Sequence, residues 1–257
     1  MPTELRYEEH DHVGVITLDR PEARNALTHT TYAELEDAVR STAARCLVIT
    51  GTDPAFCSGD DVKQVMAGAG DALAGALRRA PALTPAADAL LYTDVPVIAA
   101  VNGAAVGWGM ELALMADIRV ASERAKLGEL FVHRGLCSDV PGIGRLAHLV
   151  GRERAAELLF TGRVVDAAEA QAMGLVSRVV THEELLPTAL ELATAIAANP
   201  PLAVQRLKQG LRLALDPDWR ELGAWVSASL GELFQTADHR EGVAAFLEKR
   251  PAHYEGR

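Results

Sequence analysis

The sequence predicts an α/β fold over roughly its first two hundred residues, followed by a helical C-terminal region. Three observations carry that prediction. Residues 13–18, 46–50 and 95–101 are short, almost wholly apolar runs rich in Val and Ile, the pattern of strands covered on both faces. Segments of helical length and spacing separate such runs, and alternation of this kind favours parallel strands joined by helices. From about Arg152 onward the apolar residues recur mainly at helical spacing. With 257 residues and 49% apolar content, the chain can bury one substantial core.

Each element follows from its own residues. Residues 13–18 read as a buried strand, and 19–25 as a polar loop. Residues 30–45 read as a helix with Leu35, Ala38 and Val39 on one face. Residues 46–50 form a second strand ended by Gly51. Residues 66–91 are rich in Ala and Gly, carry Arg78, Arg79, Pro81 and Pro85, and show weak periodicity. Loosely packed helix and loop is the expectation there, with the most motion in the chain. A third strand covers 95–101, a helix runs from near Gly109 to Met115, and 117–121 is a short fourth strand. The last clear strand spans 176–180. Helices are expected over 183–198, 202–215, 219–234 and 240–248.

Composition removes several classes of function. The 35 acidic against 25 basic residues leave a net charge of −10, a poor match to nucleic acid. The three cysteines, Cys46, Cys57 and Cys137, make no CxxC pair, so neither a disulfide framework nor a zinc site is expected. The first eleven residues are polar and acidic rather than signal-like, and the reading is a cytoplasmic protein. The uncharged stretch 95–110 is interrupted by Pro96, Asn102, Gly103, Gly107 and Gly109. It is also shorter than the roughly 20 residues a spanning helix needs. The eight histidines show no metal-ligand spacing, and Thr181-His-Glu-Glu is not HExxH. No GxSxG elbow, P-loop or dinucleotide fingerprint is found.

Two segments carry chemistry. Ala55-Phe-Cys-Ser-Gly-Asp-Asp61 follows a buried strand, and Ala100-Val-Asn-Gly-Ala-Ala-Val-Gly-Trp-Gly-Met-Glu111 joins a buried strand to a helix. Glycine there lets the backbone approach a ligand and turn its N–H groups outward. The helix start adds a preference for negative charge. Two N–H groups meeting at one oxygen would form an oxyanion hole, in which a single donor is worth roughly 3–4 kcal/mol of barrier.

These segments resemble the two oxyanion-hole signatures of the enoyl-CoA hydratase/isomerase (crotonase) family. Supporting matches occur in order along the chain. They are Arg20-Pro-Glu-Ala-Arg-Asn-Ala-Leu27, Asp117-Ile-Arg-Val-Ala-Ser122, Thr161-Gly-Arg, Ala170-Gln-Ala-Met-Gly-Leu-Val176 and Phe246-Leu-Glu-Lys-Arg-Pro251. The resemblance implies a crotonase-like spiral of ββα repeats over residues 1–198, holding the acyl and CoA site. It implies a helical region over 199–257 at subunit contacts of a homotrimer or homohexamer, for which the amphipathic stretch 219–234 is suited. Coenzyme A enters as part of the thioester substrate, with no covalently bound cofactor, metal, nucleic acid or membrane.

Carried onto this sequence, the resemblance makes the N–H groups of Ser58 and Trp108 the oxyanion donors and Glu111 an acid/base residue. It places CoA contacts at Arg24, Ala26, Ser58, Asp60, Val62 and Lys249, with Arg250 and, more weakly, Lys63 nearby. The family's second glutamate falls on Phe131, and the role is not transferred to Glu129, two positions away. Asp139 matches the stretch where isomerases of the family place an acid. Hydration needs a water activated by two carboxylates, whereas a double-bond shift needs one base. The expectation is therefore double-bond isomerisation by Glu111 or Asp139. Hydration of a 2-enoyl-CoA, or CoA binding with little catalysis, is the alternative.

Overall fold

The structure is a computed structural model that describes residues 3–66, 83–138, 140–214 and 236–257. Its frame is a mixed sheet built from β1 (Leu5–His10), β2 (Val13–Leu18), β3 (Cys46–Gly51), β5 (Val97–Val101), β7 (Ile118–Ser122) and β10 (Arg178–Val180), side by side in that order. The first pair is antiparallel and the remaining pairs are parallel. A second, smaller sheet runs in the order β4 (Ala55–Cys57), β6 (Ala104–Val106), β8 (Lys126–Gly128), β9 (Val165–Asp166).

The two sheets share one logic. Strands β3, β5 and β7 lie in the large sheet, and each is followed by a short strand, β4, β6 or β8, in the small one. After those pairs the chain reaches helices α2 (Pro85–Tyr92), α3 (Trp108–Met115) and α4 (Val140–Val150) respectively. This is a spiral of ββα turns, as the family resemblance implied. The small strands were not foreseen, nor was β1. Residues 66–91 contain α2, capped by Thr84 Oγ1 and opened by Pro85. The expected helix 219–234 lies outside the described residues.

Apolar alternation sets the two faces of the large sheet. Cys46 and Val48 of β3, with Val13, Ile98, Ala100 and Val120, pack on Leu185, Ala189, Ala193 and Ala197. Those four residues stand at four-residue spacing on α7 (His182–Ala197), one stripe of that helix. Leu47 and Ile49 face the other way, into the main core between the sheets and α1 (His29–Ser41), α2 and α3. Helix α1 stops short of the expected residue 45 and is fixed at its start by a Thr28–Thr31 capping box. Helices α5 (Arg152–Thr161) and α6 (Ala167–Ala172) follow α4.

Beyond residue 198 the chain continues as α8 (Pro201–Leu213) and, after an interval, α9 (Ala237–Glu248). Lys208 of α8 is buried against Asp117 at 2.7 Å and donates to Val95 O at 2.8 Å, which ties this helix to the large sheet. No helix among the described residues is long and apolar enough to cross a membrane.

Candidate active site

The two glycine turns meet. Strands β4 and β6 pair in parallel, with Ala55 opposite Ala104 and Cys57 opposite Ala105. Gly109 packs so closely on this strand that a Cβ there would lie 2.0 Å from Cys57 O, so only glycine fits. A Cβ on Gly59 would stand 3.2 Å from Trp108 N, so the turn after β4 lies against the start of α3. Trp108 is the first residue of α3, where a backbone N–H has no intrahelical acceptor and the helix dipole favours an anion.

The second expected donor is engaged within the protein. Ser58 N–H donates to Arg24 O at 3.1 Å, and Ser58 Oγ donates to Ala23 O at 3.2 Å. The expectation of two ready-made amide donors is corrected to one amide at a helix start and one covered by a backbone carbonyl. The cause is the shape of the loop after β2. Arg24 (φ 52°, ψ 40°) and Asn25 (φ 56°) are successively left-handed, which directs the Arg24 carbonyl at the end of β4. Buried Asn25 pins that shape by donating to Thr52 O at 2.7 Å and Ala55 O at 2.6 Å and accepting from Arg20 N at 3.0 Å.

Beside the turns lies a buried carboxylate pair. Glu111, in the first turn of α3, is 0% exposed, and Glu129, the residue just after β8, is 1% exposed. The Ser138 hydroxyl donates to Glu111 Oε1 at 2.6 Å and lies 3.4 Å from Glu129 Oε2. Gly142 N–H donates to Glu111 Oε2 at 2.6 Å from the first turn of α4. Sequence reasoning left Glu129 without a role because the expected position was Phe131. Strand alternation carries Leu127 and Glu129 inward together, and a 3-10 turn over Leu130–Arg134 then takes Phe131 off that line. Ser138 carried no signal in the sequence.

Gly142 leaves the space that this cluster fills. A Cβ there would lie 1.8 Å from Ser138 Oγ, 2.6 Å from Glu111 Oε1 and 3.0 Å from Glu129 Oε1. Gly142→Ala is expected to push the hydroxyl and carboxylates apart and to cost about 1–3 kcal/mol of stability, the range for overpacking a filled site. A melting curve checks this, and a midpoint equal to wild type would show that the cluster gives way without strain.

An apolar cleft of about 220 Å³ opens beside the pair. Phe131, Val132, Leu136, Ile143, Leu159 and Phe160 form its walls, and Glu129 and Ser138 reach it. The Trp108 indole is elsewhere. It is 3% exposed and packs edge-on against Tyr32, with ring centroids 4.7 Å apart, inside the main core. Cys57, adjoining Ser58, is no nucleophile, since burial pushes its thiol up to about 12.

The remaining expected residues divide. Arg24 is exposed, and Ala26 is buried with its carbonyl accepting from Arg20 Nη1 at 2.6 Å. The Asp60 carboxylate accepts from Tyr32 Oη at 2.6 Å, and Val62 opens a single π-helical turn. Lys249 is exposed just past α9, while Arg250 pairs with Glu241 at 2.6 Å. Asp139 lies outside the described residues. Among the described residues no three His, Cys, Asp or Glu side chains converge as metal ligands.

Comparison with known proteins shows what the chain as a whole is similar to. A family model described as enoyl-CoA hydratase/isomerase matches residues 8–257. A crotonyl-CoA hydratase of Syntrophomonas wolfei is 37% identical over 96% of each chain. A short-chain-enoyl-CoA hydratase of Clostridium acetobutylicum is 34% identical over 95% of this chain and 94% of its own. A solved enoyl-CoA hydratase from Bacillus anthracis superposes with a TM-score of 0.91 at 32% identity, covering 99% of this chain and 100% of that one.

Proposed function

The chain belongs to the enoyl-CoA hydratase/isomerase family of enzymes, and from that premise we propose that it adds water across the double bond of a 2-enoyl-CoA. The observation that carries this reading is the burial of two carboxylates, Glu111 and Glu129, around one hydroxyl at the edge of an apolar cleft. The preference for isomerisation read from the sequence rests on a missing second carboxylate. Glu129 supplies one from a neighbouring position, and the names of the similar hydratases agree with hydration.

The roles follow from the hydrogen bonds. Glu111 accepts two short bonds, from Ser138 and from Gly142 N–H, which fix the orientation of its carboxylate. It is the base that takes a proton from the attacking water. Glu129 has the longer contact with the hydroxyl and carries the proton delivered to the α-carbon. As water bonds to the β-carbon, negative charge moves to the thioester oxygen, held by Trp108 N–H at the positive end of α3. That oxyanion displaces the neutral Arg24 carbonyl from Ser58 N–H, because a hydrogen bond to a charged acceptor is roughly twice as strong as one to a neutral acceptor. The acyl chain lies in the cleft walled by Phe131, Leu136 and Phe160. The CoA portion runs along the loops of Arg24, Ala26, Asp60 and Val62, with Lys249 near its nucleotide end.

The test offers 2-enoyl-CoA and 3-enoyl-CoA thioesters separately and follows the conjugated chromophore. Its loss from the first substrate is the expected result. Appearance of the chromophore from the second, with the first left untouched, would replace hydration by isomerisation and return the proton transfer to Glu111 or Asp139 acting as a single base.

A further inference from the structure

The carboxylate pair poses a problem of proton inventory that its bridging hydroxyl solves. Hydration as proposed above ends with the two groups exchanged. Glu111 has gained a proton from water, and Glu129 has lost one to the α-carbon. Neither is then ready for another substrate, and both side chains are closed to solvent at 0% and 1% exposure.

We propose that the Ser138 hydroxyl is the proton path that resets the pair between turnovers, an inference that rests on the hydration reading. Its Oγ lies 2.6 Å from Glu111 Oε1 and 3.4 Å from Glu129 Oε2, and the residue is itself buried at 8% exposure. In the reset, the protonated Glu111 gives its proton to Ser138 Oγ while the Ser138 proton passes to ionised Glu129. One O–H bond breaks and one forms at each stage, the serine ends as it began, and the net charge of the site stays constant. A second feature independently reserves the place. Gly142 is the residue whose Cβ would stand on that hydroxyl, at 1.8 Å, and its N–H donates to the other Glu111 oxygen, Oε2, at 2.6 Å.

Ser138 acts through the two glutamates and is a positioning residue rather than one that touches the reacting carbons. Its signature is therefore kinetic. Rapid-mixing of Ser138→Ala with a 2-enoyl-CoA is expected to show a first turnover that, though slowed by the loss of one hydrogen bond to Glu111, runs well ahead of a steady state lowered by roughly 10²-fold. The record is a burst of one product per site. Ser138→Thr, which keeps the hydroxyl, is expected to regain the steady-state rate. A Ser138→Ala enzyme with an unchanged steady state overturns the relay alone, and so does a first turnover that falls as far as the steady state. A wild-type chain that hydrates no 2-enoyl-CoA overturns the hydration reading, and the relay with it.

Discussion

Glu111→Gln is expected to lower hydration turnover by roughly 10²- to 10⁴-fold, the usual contribution of a positioned acid/base group, while the chain stays folded. The substitution keeps size and shape in a position that is 0% exposed. Its carbonyl oxygen still accepts Gly142 N–H, which now lies 2.6 Å from Oε2. Its amide nitrogen then faces Ser138 Oγ, and a serine hydroxyl reverses from donor to acceptor without cost in geometry. Both of these hydrogen bonds are kept, so the large destabilisation of leaving either partner unsatisfied is avoided. The ability to take a proton from water is what disappears. Rates on a 2-enoyl-CoA, with a CoA-binding titration and a melting curve beside them, separate these effects. Unchanged turnover would remove Glu111 from the chemistry, and Glu129→Gln provides the same test for its partner.

Trp108→Ala is expected to cost about 3–5 kcal/mol of folding stability, the range for truncating a large buried aromatic. The indole is 3% exposed in the main core and meets Tyr32 edge-on at 4.7 Å with planes at 89°. An aromatic pair of this geometry adds about 0.5–1.5 kcal/mol beyond the buried area. The Tyr32 hydroxyl in turn donates to Asp60 at 2.6 Å, so the loss reaches the loop after β4. Alanine retains the N–H at the start of α3, and the oxyanion donor survives the change. Chemical denaturation reads the loss as a lower midpoint. Turnover per folded molecule should fall much less than with Glu111→Gln. A midpoint equal to wild type would mean the ring contributes no packing, contrary to its burial.

Much of the fold was legible along the chain because long apolar runs declare themselves. The runs at 13–18, 46–50 and 95–101 form adjacent strands of the large sheet. The glycine turn before Glu111 opens a helix where expected. The small sheet was invisible for a physical reason. Ala104–Val106, Lys126–Gly128 and Val165–Asp166 are three residues or fewer, too short for any alternation to show a period.

The ββα spiral and the meeting of the two glycine turns were implied by the family resemblance. By itself the sequence determined the long apolar strands, the glycine turn that opens α3 and the acid at its head, which depend on local hydrophobic pattern and on glycine where backbone must touch backbone. Only the tertiary structure decided which second carboxylate joins Glu111, since Glu129 reaches it through the turn that removes Phe131 from the strand line. Only it placed the Arg24 carbonyl on Ser58 N–H, a bond between residues 34 positions apart in the chain. A hydrogen bond is satisfied by whatever partner the folded chain brings within about 3 Å, and no local pattern records which partner that will be.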